Sequence, residues 1–544
     1  MNFQNAIRIN HRGFLKSSKK RFVLVENATR GDTFDVYLVK DVKEIKVYSG
    51  KLTAINEDGK ELFVGDFSLI TDEGDYFIEA EGVRSRQFVI YDGAYDICQR
   101  IMLEYFKYQR CGHPLGWNGA CHLDDGFIKE TGERVDLSGG YHQSCDLRKS
   151  PGGVSIGVVG LLRFALKDKS EWGKILLTDE AHWALEYFIK TIQENGAMYN
   201  TLNSPFGWGA REFYKSPAPS SAQWNVTSIL SLGYLYFKDK DLIFAKKCLE
   251  KSVLSYDFLM GENRPKGVYK HPDKYPLGMD PDSFYEQCQR DSTSDIAYQI
   301  TASCDLYRAT GEKKYLDLVK SNVKKILEDI DIFTLKRRED SGKVLTASCS
   351  YSWLASGLLC LYDAYELLGD FCELKSTISK ALEGICEFLD KSPWRRAEIL
   401  YSDSDLDIVD GHEGKTRRDS MGELLKYGKY YYQNGAPFNP SYSGYIGIFL
   451  AKGAKLFNEE KYMGYAQSIL DDLLGCNSLD SSRIRGIGFN HCQHHSYGQF
   501  FPSTPFIPGA VGVSYHSLDT YSSSSEYDMP CVGISMYLIS EITN

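Results

Sequence analysis

Residues 138–153 read SGGYHQSCDLRKSPGG, and five consecutive positions bring together His142, Gln143, Ser144, Cys145 and Asp146 between a Gly-Gly pair and a Pro-Gly-Gly run. An imidazole, an amide, a thiol and a carboxylate this close in sequence suit a metal site, the reacting centre of a hydrolase, or both. Upstream, RCGHPLGWNGACHLDDG adds Cys111, Cys121 and His122. Together with His142 these make two thiolates and two imidazoles, a set that zinc takes in closed tetrahedral sites. Positions 111, 121, 122 and 142 do not have a zinc-finger spacing, so residue type alone carries this reading. His113 and Cys145 are near enough to be rival ligands, and two core cysteines beside two polar histidines would look the same.

Asp146 stands just ahead of SPGGVSIGVVGLLRFAL, a smooth helical stretch. A carboxylate there either caps the helix or faces a cleft at its mouth. Glu526, in SSSSEYDMPC, precedes the last such helix, and Asp528 is its rival. Two carboxylates on opposite walls of a cleft are what glycoside hydrolysis requires: one protonates the leaving oxygen and the other deprotonates a water. The acid must hold its proton near working pH, which burial arranges.

Further candidates lie in three loops. FNHCQHHSYGQFFPSTPFIPGAVG, residues 489–512, offers His494 and His495 to sugar hydroxyls, and Cys492 among them leaves a second metal site open. PFGWGAREFYK, residues 205–215, offers Trp208, Arg211 and Tyr214 for stacking on pyranose rings or for packing between helices. Trp224 and Trp353, at the starts of smooth helices, line the cleft or fill the core. Asp124–Asp125 fits a cation such as calcium or a turn cap, and nothing in the sequence decides. The charged run GHEGKTRRDS reads as a solvated loop.

The elements that must position these residues change character near residue 90. Before it, FVLVE, TFDVYLV, EIKVYSG, DYFIEA and RQFVIY alternate like strands, and about seven short strands predict an immunoglobulin-like β-sandwich over 1–90. From 95 to 544 the period is helical. Six times a loop rich in Ser, Gly, Pro or Asp leads into a smooth helix, and five of these are followed by an amphipathic one. Smooth helices belong inside and amphipathic ones outside, which predicts an (α/α)6 barrel whose first and last repeats meet. The β-domain would brace it.

The chain has 544 residues, long enough for more than one domain, and a net charge of −10 without a basic stripe. Nucleic acid is therefore not the expected partner. No apolar run approaches the roughly 18 residues of a membrane span. The start lacks the apolar core of a signal peptide, and several of the 14 cysteines sit in helical apolar patterns as reduced hydrophobes. A cytoplasmic protein is expected, or a secreted one whose leader has been removed. The sequence is silent on oligomeric state.

With these residues in view, the chain resembles the glycoside hydrolase family 9 cellulases of the subgroup with an N-terminal immunoglobulin-like domain. IRINHRGFL looks like that domain's opening strand, and YFKYQRCG continues the likeness. The family's Gly-Gly-Trp-His-Asp-Ala-Gly-Asp loop stands here as Gly139-Gly140-Tyr141-His142-Gln143-Ser144-Cys145-Asp146. The resemblance implies an inverting hydrolase of β-1,4-linked glucan or cello-oligosaccharides. It makes Asp146 the general base and Glu526 the general acid. It makes Cys111, Cys121, His122 and His142 ligands of a structural zinc, and His494–His495 part of the substrate loop. The departures are Gln143 for an Asp that helps hold the water, Cys145 for a Gly, Ser496 for an Arg, and an acid region without the usual Asn-Glu-Val-Ala. A cytoplasmic location leaves an exo-acting glucosaminidase-type hydrolase of amino-sugar oligomers as one alternative, and Gln143 leaves a non-catalytic carbohydrate-binding protein on a hydrolase scaffold as another. A polysaccharide lyase is a weaker third, because it leaves the Asp/Glu pair unexplained.

Overall fold

A computed structural model describes residues 4–25, 32–57, 60–114, 119–128, 131–144, 149, 151–201, 212–217, 220–261, 293–331, 336–337, 352–390, 392–395, 400–401, 426–427, 430–432, 440–491, 506–512 and 527–544. Eight strands come first: β1 (Ile7–Arg8), β2 (Arg21–Leu24), β3 (Thr33–Lys40), β4 (Lys43–Glu57), β5 (Lys60–Asp66), β6 (Gly74–Ala80), β7 (Val83–Arg84) and β8 (Phe88–Ile90). They run in the order β1-β2-β5-β4-β3-β6-β7, with β8 also on β6. The expected short strands include one long exception. The first part of β4, to Lys51, pairs with β3, and Leu52 onward pairs with β5, so this 15-residue strand passes from one layer to the other. Phe22, Leu24, Phe34, Val36, Tyr76 and Ile78 alternate inward from both layers into one core.

Twelve helices follow among the described residues. The odd ones are α1 (Asp96–Tyr108), α3 (Glu171–Thr191), α5 (Leu242–Met260), α7 (Lys313–Asp329), α9 (Leu374–Leu389) and α11 (Glu460–Leu473). The even ones are α2 (Pro151–Lys167), α4 (Ser220–Phe237), α6 (Thr293–Thr310), α8 (Ser352–Leu368), α10 (Pro440–Phe457) and α12 (Met529–Thr543). The even helices are the smooth sequences. Each packs on the next, and α12 packs back on α2, closing an inner ring. The odd helices lie outside. Leu374, Ile378, Ala381, Leu382, Ile385 and Leu389 of α9 show how such a helix buries one helical face only.

The ring closes through glycine. A Cβ on Gly160 would lie 2.2 Å from the Gly533 carbonyl oxygen, and one on Gly533 would lie 2.0 Å from that of Gly157. No larger residue lets α2 and α12 come this close. Connection length then decides where function can sit. Inner-to-outer links are short, at 168–170, 238–241, 311–312, 369–373 and 458–459. Outer-to-inner links are long, at 109–150, 192–219, 261–292, 330–351, 390–439 and 474–528. All the long links therefore gather at the N-terminal ends of the inner helices, and nearly every candidate residue is in one of them.

The β-domain is built into this end. Asp480, in the last long link, is buried and ion-pairs with Arg86 at 2.9 Å and Arg8 at 3.7 Å. It also meets His11 Nε2 at 2.9 Å and accepts the Asn5 backbone amide at 2.8 Å. Burial alone would raise this carboxyl's pKa, but His11, the Asn5 amide and Arg86 hold it below the ordinary value.

Candidate functional site

The first long link folds back against the end of α1. Cys111 N–H donates to Gly140 O and His142 N–H donates to Gln109 O, both at 2.8 Å, around an antiparallel bridge between Arg110 and Tyr141. This pairing brings Cys111 and His142 together. Cys121 and His122 arrive from the turn between them, with His122 held in the left-handed region at φ 56°. Such a conformation costs about 1–3 kcal/mol and persists where the surroundings enforce it.

One donor atom from each of Cys111, Cys121, His122 and His142 lies within 4.8 Å of the others. The two sulfurs are 3.9 Å apart, and Cys121 Sγ is 3.2 Å from His142 Nε2. A disulfide needs about 2.05 Å, whereas two thiolates on a tetrahedral zinc stand about 3.8 Å apart given Zn–S bonds near 2.3 Å. The hydrogen bond from Cys111, backed by both imidazoles, drives the Cys121 thiol far below its usual pKa, while the Cys111 thiol is pushed up. The buried Nδ1 of His122 has no hydrogen-bond partner among the described residues. The donor set and its spacing fit a closed four-ligand metal site. His113 is exposed, with its ring against Trp183, and is not in the cluster. Cys145 lies outside the described residues.

A second set of contacts grips the same loop without metal. Glu180 on α3 is fully buried and accepts from Arg110 Nε at 3.1 Å, Arg110 Nη2 at 2.9 Å and Tyr141 OH at 2.7 Å. Trp183 Nε1 donates to Gly140 O at 2.9 Å.

The loop then reaches the last hairpin. Met529 N–H donates to Gln143 O at 2.9 Å, and Ser144 faces Asp528 in an antiparallel bridge. Tyr527 is bridged in turn to Gly512. The Gln143 side chain covers Gly153 at the start of α2, where any Cβ would meet its Oε1 at 2.0 Å. Asp528 is the residue from which α12 springs.

Other expectations resolve as follows. Trp224 is fully buried against Tyr256 and belongs to the core, not the cleft. Asp124 meets Arg134 at 3.6 Å and Asp125 meets Lys149 at 2.9 Å, so each carboxylate faces a cationic side chain. The backbone of Tyr214 is on β10 (Glu212–Pro217), paired with Asn200 of β9 (Tyr199–Thr201), and its side chain lies outside the described residues. Asp146, Glu526, Trp208, Arg211, Cys492, His494, His495 and the side chain of Trp353 also lie outside it. Sequence reasoning missed Glu180, Arg110 and Lys149, which sit in ordinary helical or turn contexts and gain meaning only from partners far along the chain.

The family model for glycosyl hydrolase family 9 matches residues 95–510. The chain belongs to this family. Residues 2–85 match the cellulase N-terminal ig-like domain. A cellodextrinase of Butyrivibrio fibrisolvens is 25% identical over 517 residues, covering 88% of this chain and 84% of the relative. The crystal structure of a metagenome-derived family 9 endoglucanase superposes with a TM-score of 0.71 at 18% identity, covering 99% of this chain and 98% of the other. A zinc-binding triple mutant of a family 9 endoglucanase gives 0.70 at 14% identity, covering 97% of this chain and 99% of the other. The β-sandwich and the closed helical ring are thus those of a family 9 enzyme, a glycoside hydrolase with an (α/α)6 barrel.

Proposed function

We propose that this family 9 enzyme hydrolyses β-1,4-linked glucan, acting on soluble cello-oligosaccharides with inversion, with Asp146 as general base and Glu526 as general acid. The observation that carries the proposal is the Ser144–Asp528 bridge. Asp146 is two residues beyond one partner, and Glu526 is two residues before the other. Two residues of chain reach at most about 7 Å, which supports the reading that both carboxylates work beside one backbone-paired junction. Inverting enzymes keep their two carboxyl groups about 6.5–9.5 Å apart to admit a water.

In the reaction, Glu526 gives its proton to the glycosidic oxygen as the C1–O bond breaks. A water attacks C1 from the opposite face of the ring and passes its proton to Asp146. Gln143 hydrogen-bonds that water in place of a carboxylate. The missing negative charge lowers the proton affinity of Asp146 relative to a site with two acids. His494, His495, Trp208, Arg211 and Tyr214 supply the sugar-binding wall. Cys111, Cys121, His122 and His142 would hold zinc, which when bound supplies a crosslink and no reacting ligand, because protein fills all four positions. The unit spanning 1–90 braces the catalytic unit of 95–544.

The test is chromatography of cellopentaose digests made by the wild type and by the Asp146→Asn and Glu526→Gln variants. Hydrolysis lost by at least about 100-fold in each variant supports both roles. Tight binding of cellopentaose by a wild type that never cleaves it would overturn the catalytic reading.

A further inference from the structure

We infer that Lys149 and Asp125 are a positioning pair for the catalytic base, tying the downstream end of the Asp146 segment to the loop that carries two of the four metal ligands. The inference rests on the proposed role of Asp146.

The Lys149 side chain is only 4% exposed and that of Asp125 only 1%. The ammonium donates to Asp125 Oδ2 at 2.9 Å and to Leu137 O at 2.6 Å, and stands 4.8 Å from the centre of the Tyr187 ring. Surface pairs of this kind are worth little, but a buried pair binds its two segments together, because parting it would leave a charge unpaired away from water. Asp125 is itself fixed within the metal-ligand loop: its N–H donates to His122 O at 3.3 Å, and Leu137 N–H donates to its carbonyl at 3.1 Å.

One short loop, 121–125, therefore grips the segment 142–149 at two points. At its upstream end Cys121 meets His142 at 3.2 Å. At its downstream end Asp125 meets Lys149. Asp146 falls between the two grips. The tie at Lys149 adds a second anchor to the one at His142. The need for such fixing is steep, since a carboxylate displaced by about 1 Å from its water costs about 100-fold in rate. Lys149 is not a catalytic residue on this account: its ammonium is turned to Asp125, Leu137 O and the Tyr187 ring, and it acts through the backbone it anchors.

The experiment compares the Lys149→Met, Lys149→Arg and Asp125→Asn variants of the full chain with the wild type. Four quantities are read: kcat and KM on cellopentaose, bound zinc by elemental analysis, melting temperature, and deuterium uptake of the peptide spanning 142–149. Lys149→Met keeps the side chain's length and loses its charge. It should lower kcat about 100-fold, leave KM within a few-fold and zinc at the wild-type ratio, and raise deuterium uptake in that peptide. Lys149→Arg should recover at least a tenth of the wild-type kcat. Asp125→Asn, which keeps an acceptor, should fall between them. Wild-type kcat in Lys149→Met overturns the inference. So does loss of zinc in step with activity, which would make the pair a support of the metal site alone. If the wild type does not cleave cellopentaose, the proposed function fails, and the deuterium uptake still decides whether the pair fixes the segment.

Discussion

Ser144 and Asp528 face each other across a backbone bridge that joins the first inner hairpin to the last. Beneath them, α2 and α12 touch through bare glycine backbone at Gly157, Gly160 and Gly533. The bridge and the glycine seam are one structure. The seam sets the distance between the two helices, and that distance lets the loops above them pair.

Substituting Gly533→Ala tests the seam. Alanine should favour a helix by about 1 kcal/mol over glycine. Here its Cβ would lie 2.0 Å from the Gly157 carbonyl oxygen, with backbone on both sides and no flexible side chain to yield. Overpacking of this kind costs about 1–3 kcal/mol, so the clash wins. The variant should melt several degrees lower than the wild type, and kcat should fall more than KM changes. A higher melting temperature would show that the seam has slack.

Removing a metal ligand tests the clip. Cys111→Ser should abolish stoichiometric zinc and destabilise the fold by more than the ~1 kcal/mol of an average substitution, because loss of a metal is among the mechanisms behind the largest effects. The Glu180 contacts with Arg110 and Tyr141 remain, so the variant should still fold at low temperature and show the secondary structure of the wild type by circular dichroism. Melting curves with and without added chelator provide the check: the wild type should shift and the variant should not.

Asp471 makes a large contribution to the pH dependence of stability at the domain junction. Asp471 on α11 is buried, and burial pushes its pKa up to about 7 despite hydrogen bonds from Asn10 and Gln467. A carboxyl raised in the folded state favours folding fully below its unfolded pKa, and that contribution is lost as pH rises through about 7. His491, lowered by burial to about 4, works oppositely and completes its change by its unfolded value of 6.5. The comparison that isolates Asp471 is the wild type against Asp471→Asn, which keeps an oxygen acceptor and cannot ionise. Between pH 5 and 8 the wild type should lose stability relative to the variant by a few kcal/mol, read from urea midpoints. A constant difference across that range would refute the assignment.

Much of the barrel was legible because its signal is local. A stretch such as MPCVGISMYLIS is apolar on every face, and nothing but an interior position accommodates it. The metal cluster was legible in residue types and illegible in spacing, because Arg110–Tyr141 pairing, not proximity in sequence, brings Cys111 to His142. Trp224 was ambiguous because the start of an inner helix faces both the cleft and the neighbouring helices, and Tyr256 decides it. The roles of Lys149, Glu180 and Asp480 left no trace in the sequence. A lysine, a glutamate and an aspartate are ordinary on a solvated surface, and only partners remote in the chain bury them.

The central claim is that Asp146 and Glu526 act from opposite faces of one glycosidic bond, and stereochemistry tests it most directly. A proton NMR time course of cellopentaose hydrolysis by the zinc-loaded wild type should show the α-anomer released first, before mutarotation, with no such signal from Asp146→Asn or Glu526→Gln. Initial release of the β-anomer, or undiminished turnover in either variant, would contradict the account.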